Sequence, residues 1–168
     1  MNARVCRALG LSTAVASAAL ALAACGFHLE GSTALPRSIA LVRIESSDTE
    51  SDFYFGLRKA LIAAGTRIDE SGHDDSATVI HVLNDLTTQR ILTVSPLNVP
   101  TEYQFSYQLK FSVTSQGRDL IPAETHTLVR DYNFSESELL AKERETRILS
   151  EALAHDLVSV VMRRLSSL

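Results

Sequence analysis

Between Tyr103 and Thr114 the chain alternates without a break. Tyr103, Phe105, Tyr107, Leu109, Phe111 and Val113 are apolar, while Gln104, Ser106, Gln108, Lys110, Ser112 and Thr114 are polar. Successive side chains of a strand point to opposite faces, so this run specifies a strand with one dry face and one wet face. A helix would scatter both sets around its axis. Such a strand demands an antiparallel partner and something to cover its apolar side. Ser115-Gln116-Gly117-Arg118 reads as the turn, and Glu124 to Tyr132 as the returning strand, with Thr125, Thr127 and Val129 favouring extended backbone.

The remaining elements supply the cover. Ile39-Ala40-Leu41-Val42-Arg43-Ile44 is a short apolar strand. Thr49-Glu50-Ser51-Asp52 resembles a capping box, and Phe53, Leu57, Leu61 and Ala64 then recur at helical spacing up to Gly65. A second strand runs from Thr78 to Leu86, and an extended piece from Gln89 to Val94 continues it after a bend near Asp85. Pro96 and Pro100 bracket a loop. Ser135 with Glu138 caps a long C-terminal helix, its buried stripe being Leu149, Ala152, Leu153, Leu157, Val160, Val161 and Leu165. Glu143 and Arg147 form a supporting i,i+4 pair. The expected fold is α+β: a two-layer sandwich whose mostly antiparallel sheet, of about four strands, is covered by two helices, the C-terminal one long.

The N-terminus sets the address. Arg4 and Arg7 precede an uncharged run from Ala8 to Ala24, and Leu22-Ala23-Ala24-Cys25 closes it. That is the basic, apolar and small-residue order of a secretory signal. The 17 residues of that run fall short of a membrane span, which needs about 20. The segment resembles the lipobox of bacterial lipoproteins, which implies cleavage before Cys25, a diacylglycerol on its sulfur and an acylated amino terminus. Gly26 in place of an inner-membrane retention Asp points to the outer membrane. Ordinary secretory cleavage beside an incidental Cys is the alternative. The expected organisation is a signal peptide over 1–24, a lipidated tether over 25–36 and one domain over 37–168.

Composition narrows the function. Loss of Arg4 and Arg7 leaves 14 of the 16 basic residues against 20 acidic ones, a net charge of −6. A chain this acidic has no global attraction to nucleic acid. Its two cysteines are Cys6 in the signal and Cys25 at the anchor, so the mature domain offers neither disulfide nor thiol chemistry. His28, His73, His81, His126 and His155 fit no zinc-ligand spacing, and His73-Asp74-Asp75 reads as a solvated loop. Nucleophile-elbow and phosphate-loop motifs are missing from the sequence. The reading is a non-enzyme without cofactor or metal. Its most distinctive surface is the uncharged polar face of the alternating strand, either the solvent side of a sheet or a contact for a polar wall.

Cys25-Gly26-Phe27-His28-Leu29, Thr101-Glu102-Tyr103-Gln104, Gly117-Arg118-Asp119-Leu120 and Ala141-Lys142-Glu143 are a further set of local patterns, and together they resemble the LptE family of lipopolysaccharide-assembly lipoproteins. The resemblance spans nearly the whole mature chain. It implies an outer-membrane lipoprotein, held in the membrane through acylated Cys25, that plugs the lumen of the LptD β-barrel, assists its assembly and binds lipopolysaccharide on its way to the outer leaflet. Lipid A phosphates call for cations, with Lys142 the first candidate and Arg90 and Lys110 the others. The resemblance also implies a basic loop before Thr101, whereas Ser95–Pro100 carries no cation. Leu97 and Val99 there, with Gln104, Ser106 and Gln108 on the polar face, are the candidates for contact with the barrel. Two other classes stay open on the residues alone: an accessory lipoprotein of another envelope lipid-transport machine, and a periplasmic lipoprotein hydrolase.

Overall fold

A computed structural model of the chain describes residues 35–133 and 139–168, with side chains over 35–133 and 144–168. Strands β1 (Leu41–Ser46), β2 (Arg67–Ile68), β3 (Thr78–Val94), β4 (Pro100–Ser115) and β5 (Arg118–Asn133) form one sheet in the order β2-β1-β3-β4-β5. Helices α1 (Asp52–Ala63) and α2 (Leu139–Ser166) complete the described elements. β1 is parallel to β2 and β3, whereas β3, β4 and β5 run antiparallel. The two-layer α+β expectation holds, with five strands in place of about four. The extra strand, β2, has two residues, too few for any periodicity to reveal.

The alternating run behaves as its pattern requires. Phe105, Tyr107, Leu109, Phe111 and Val113 are buried, joined by Ile80, Val82 and Ile121 from the flanking strands. Phe53, Leu57 and Leu61 of α1 and Leu153, Leu157, Val161 and Leu165 of α2 close over them. The α2 stripe is rotated from the expected one. Ala152 is exposed and Val160 half-buried, while Ala154, Val158 and Met162 are buried. The cause is the neighbouring helix: a Cβ on Gly56 of α1 would meet Val158 Cγ2 at 3.1 Å. Gly56 lets the helices approach at the cost of helix propensity, and this crossing turns the Ala154–Val158–Met162 edge inward.

Three boundaries differ from expectation. Ile39 belongs to a 3-10 turn, Arg37–Ile39, before β1. The N-cap of α1 is Ser51, whose Oγ accepts the Tyr54 N–H at 3.1 Å; Thr49 lies too far before the first helical residue to do so. β3 is one strand through Val94, and the bend near Asp85 is a bulge. Val82 pairs with Phe111 and Asn84 with Lys110, leaving Leu83 as the extra residue. The β4–β5 turn has Gln116 at φ 50° and Gly117 at φ 74°, the left-handed pair that a tight type I′ hairpin requires. The Ser135–Glu138 cap and the signal peptide lie outside the described residues, as does the Glu143 side chain.

The β2–β3 loop is fastened by one carboxylate. Asp69 accepts the Ser71 hydroxyl at 2.6 Å and the backbone N–H groups of Ser71, Gly72 and Asp74 at 3.1, 3.1 and 3.3 Å. Arg43 of β1 adds bonds at 2.8 and 3.1 Å. The Ser71 hydroxyl and the Arg43 guanidinium hold the Asp69 carboxyl well below the usual carboxylate range. A depressed folded-state pKa contributes stability that is complete above the unfolded value, near 3.9, and is lost as pH falls toward the folded value. Asp69→Asn should therefore melt below wild type from pH 5 to 8, with the gap narrowing under about pH 4. Melting temperatures followed by circular dichroism across that range check this. A gap undiminished at pH 2 would remove ionised Asp69 as its source.

Candidate functional site

Cross-strand partners share a face, so the register defines what the sheet presents away from the helices. From β4 it shows Gln104, Ser106, Gln108, Lys110, Ser112 and Thr114. From β3 it shows His81, Asn84, Leu86, Thr88 and Arg90, and from β5 Thr125, Thr127, Val129 and Asp131. The polar groups are matched across strands. Asn84 Nδ2 donates to Gln108 Oε1 at 3.0 Å, Thr88 and Ser106 share a bond of 2.7 Å, and Gln104 Nε2 donates to Asp131 Oδ1 at 2.9 Å. The sequence reading placed Gln104, Ser106 and Gln108 here and missed their partners Asn84, Thr88 and Asp131. The bulge at Leu83 reverses the inside–outside order of β3, and no alternation read along that strand announces it.

One end of this face carries a relay of polar groups. Glu45 Oε2 lies 3.0 Å from His81 Nδ1, and His81 Nε2 lies 3.0 Å from Thr114 Oγ1. With a proton on Nδ1 facing the carboxylate, Nε2 is placed to accept from the hydroxyl. A hydrolytic site orders its groups in the same way but also needs N–H donors aimed at a developing oxyanion. Thr114 stands between Val79 and Asp119 inside the ladder, where backbone amides point along the sheet. The trio locks β1, β3 and β4 together instead. His126 lies on the opposite, helix-side face, paired with Leu109.

The opposite end is a long, thin tip. β3 spans 17 residues, roughly 55 Å of strand, and reaches past β1, whose pairing with β3 ends at Ser46 opposite Val82. Ser95 N donates to Val99 O at 2.7 Å and Asn98, at φ 61°, donates to Ser95 O at 2.9 Å, closing the β3–β4 hairpin. Leu97 at its apex is 87% exposed, and Val99 is half-buried. Ile91, Leu92 and Val94 are exposed too, an aliphatic cluster that the sequence reading assigned to an ordinary strand. Arg90 projects with the polar face opposite Gln104, and Lys110 stands six residues along β4, about 20 Å away. These cations do not share a site. The Lys142 side chain lies outside the described residues.

The tip is joined to the helical layer at the bulge. Ser51 Oγ, the cap of α1, donates to Asp85 Oδ2 at 2.6 Å. Burial, and then the Asp85 carboxylate, push the Tyr107 phenol far above its ordinary range, so it stays a neutral donor. Tyr103 and Tyr132 stack 5.5 Å apart on the helix side of the tip, and Gln89 donates to the Tyr132 hydroxyl. No helix among the described residues is long and apolar enough to cross a membrane, and no cluster of metal-ligating side chains occurs among them.

Solved structures with a similar fold include proteins named lipoprotein B. The chain is 20% identical to the rare lipoprotein B of Shewanella oneidensis, with a TM-score of 0.66 over 76% of this chain and 94% of that one. Against the lipoprotein B of Nitrosomonas europaea the identity is 21% and the TM-score 0.68, over 84% and 91% of the two chains. In sequence it is 25% identical over 148 residues to the LPS-assembly lipoprotein LptE of Pectobacterium atrosepticum, covering 88% of this chain and 80% of that protein. The corresponding protein of Yersinia enterocolitica is 24% identical, over 88% and 71%. Residues 37–165 match the family described as LptE, Lipopolysaccharide-assembly. With the five-stranded sheet, its long C-terminal helix and that match in hand, the chain belongs to the LptE family of lipopolysaccharide-assembly lipoproteins.

Proposed function

We propose that this protein is a non-catalytic assembly factor, acyl-anchored at Cys25 to the outer membrane. In this reading it occupies the lumen of the LptD barrel and takes part in moving lipopolysaccharide to the outer leaflet. The observation that carries it is the flat polar face whose side chains satisfy one another, Asn84 with Gln108, Thr88 with Ser106 and Gln104 with Asp131. A barrel lumen of the porin kind is polar and wet. The central stretch of this face, Asn84, Thr88, Ser106 and Gln108, is uncharged and already bonded, so it loses little when laid against such a wall, whereas a charge placed there would incur desolvation. Gln108→Glu keeps an acceptor for Asn84 and inserts a charge. The free domain should melt unchanged while recovery of the barrel complex from detergent-solubilised envelopes falls about tenfold, a cost near 1.4 kcal/mol. Unchanged recovery would make this face a solvent surface only.

Lipopolysaccharide recognition falls to cations near the tip. Arg90 makes no ion pair or hydrogen bond among the described residues, which leaves it available to a lipid A phosphate. Lys142, the first candidate from the sequence, stands beside it in this reading, with exposed Leu97 and half-buried Val99 offering aliphatic contact. Lys142→Asp should weaken lipopolysaccharide titration of the acylated protein about tenfold; an unaltered curve takes the residue out of the site.

A further inference from the structure

The two long edges of this sheet are built differently. β5 is an edge along its whole length, and it is guarded. Pro122 interrupts its ladder, where Phe111 pairs with Glu124 but Val113 with Ile121. Its helix-facing side carries Glu124, His126 and Arg130, engaged by α2 through Arg164–Glu124 at 3.4 Å and Arg130–Asp156 at 3.6 Å. A proline, a bulge and inward-pointing charges are the devices that stop a strand edge from pairing with another chain.

From Leu86 to Ile91 the upper edge of β3 lacks these guards, and its register shifts fall only beyond Ile91, next to the hairpin. β1 leaves it at Val82, and the bond from Ser51 to Asp85 closes the next stretch. From Leu86 to Val94 the side away from β4 has no strand neighbour among the described residues. Nine residues give about 30 Å of open main-chain donors and acceptors. The stretch holds one charge, Arg90, and no proline. Leu86, Ile91, Leu92 and Val94 are all exposed on it. Among the described residues, six of the eleven exposed large hydrophobics fall from Leu83 to Leu97, along this edge and its hairpin.

We infer that the Leu86–Val94 edge of β3 takes up an extended strand from a partner polypeptide, adding a sixth strand beside the tip. The charge pattern specifies the occupant: a segment of about six to eight residues, rich in β-branched and aliphatic side chains, uncharged except for a carboxylate that meets Arg90. Affinity comes from main-chain hydrogen bonds and register from Leu86, Ile91 and Val94. The inference stands on the edge itself and is independent of whether the partner is a barrel.

Proline scanning and hydrogen exchange test it together. In β3 successive amides point alternately toward β4 and away from it, so of Thr87→Pro and Thr88→Pro one breaks the existing ladder and the other touches only the open edge. The melting temperature of each variant identifies which is which. The fold-intact variant, as the full acylated chain isolated from detergent-solubilised envelopes, should carry about tenfold less partner than wild type. In the wild-type assembly, amide exchange over Leu86–Val94 should slow at least about tenfold relative to the free protein, while Thr125–Asp131 stays unchanged. A fold-intact proline variant that assembles normally overturns the inference. So does exchange over Leu86–Val94 as fast in the assembly as in the free chain, including the case where no partner travels with it. Protection by a partner that is not a transmembrane barrel supports the edge and removes the barrel reading. A barrel that co-purifies over a freely exchanging edge does the reverse.

Discussion

Phe111→Ala lowers the stability of the folded domain by about 3–5 kcal/mol, the usual cost of emptying a fully packed phenylalanine site. Phe111 is 0% exposed and stands on β4 between Val82 of β3 and Glu124 of β5. Its ring stacks on His126 at 5.9 Å and belongs to the cluster that includes Phe53, Leu57, Leu153 and Leu157. Neighbours on a sheet cannot collapse into the void as freely as those on a loop, because the ladders on both sides fix the backbone. Against a total of about 5–15 kcal/mol for a domain, the loss is a large share. The melting temperature should fall by roughly 10–20 °C. Phe111→Leu, which keeps most of the volume, should cost under about 1.5 kcal/mol. Chemical denaturation of the two variants gives both numbers. An alanine variant within about 1 kcal/mol of wild type would mean that the core does not centre on β4.

On the proposed acyl anchor, Cys25→Ala should have the other large effect, on partition and not on stability. Each buried methylene of an acyl chain contributes about 0.8 kcal/mol, and two or more chains make attachment effectively permanent. Without them the described domain offers no helix able to span a bilayer. In cells depleted of the barrel, the alanine variant should move almost entirely from the membrane pellet to the soluble periplasmic fraction, with the melting curve of the domain unchanged. The depletion matters, since a docked partner would otherwise retain the variant. A variant that still sediments with membranes alone would refute the acyl anchor.

What was readable in the sequence follows the physics of each element. Tyr103–Val113 was legible because one face is dry and the other wet, so period and burial coincide residue by residue. The α1 face was legible for the equivalent helical reason. β2 was not, since two residues carry no period. The α2 stripe was read one step off because its orientation is decided by the Gly56–Val158 approach, a contact between residues far apart in sequence. The Ser51 cap was missed in favour of Thr49 because Thr49, Glu50, Ser51 and Asp52 are all hydroxyl-bearing or acidic and only the fold chooses among them. At the candidate site, Gln104, Ser106 and Gln108 came from the alternation, while Asn84, Thr88 and Asp131 became visible only through register. The exposed aliphatic edge of β3 was not legible as such for the same reason: apolar strand residues ordinarily signal burial, and nothing local says which ones the cover fails to reach.

The bulge at Leu83 divides the life history of β3 into two parts. Below it, Thr78, Ile80 and Val82 face the helices; above it, Asp85, Thr87, Gln89 and Ile91 do. Insertions or deletions of residue pairs, matched in β3 and β4, would lengthen or shorten the blade while every core side chain kept its place. A single-residue change above the bulge would exchange Asn84, Leu86, Thr88 and Arg90 with the helix-side set, turning the blade inside out. Divergence of the tip among related chains is therefore expected to proceed in steps of two, leaving the helical half of the molecule a spectator.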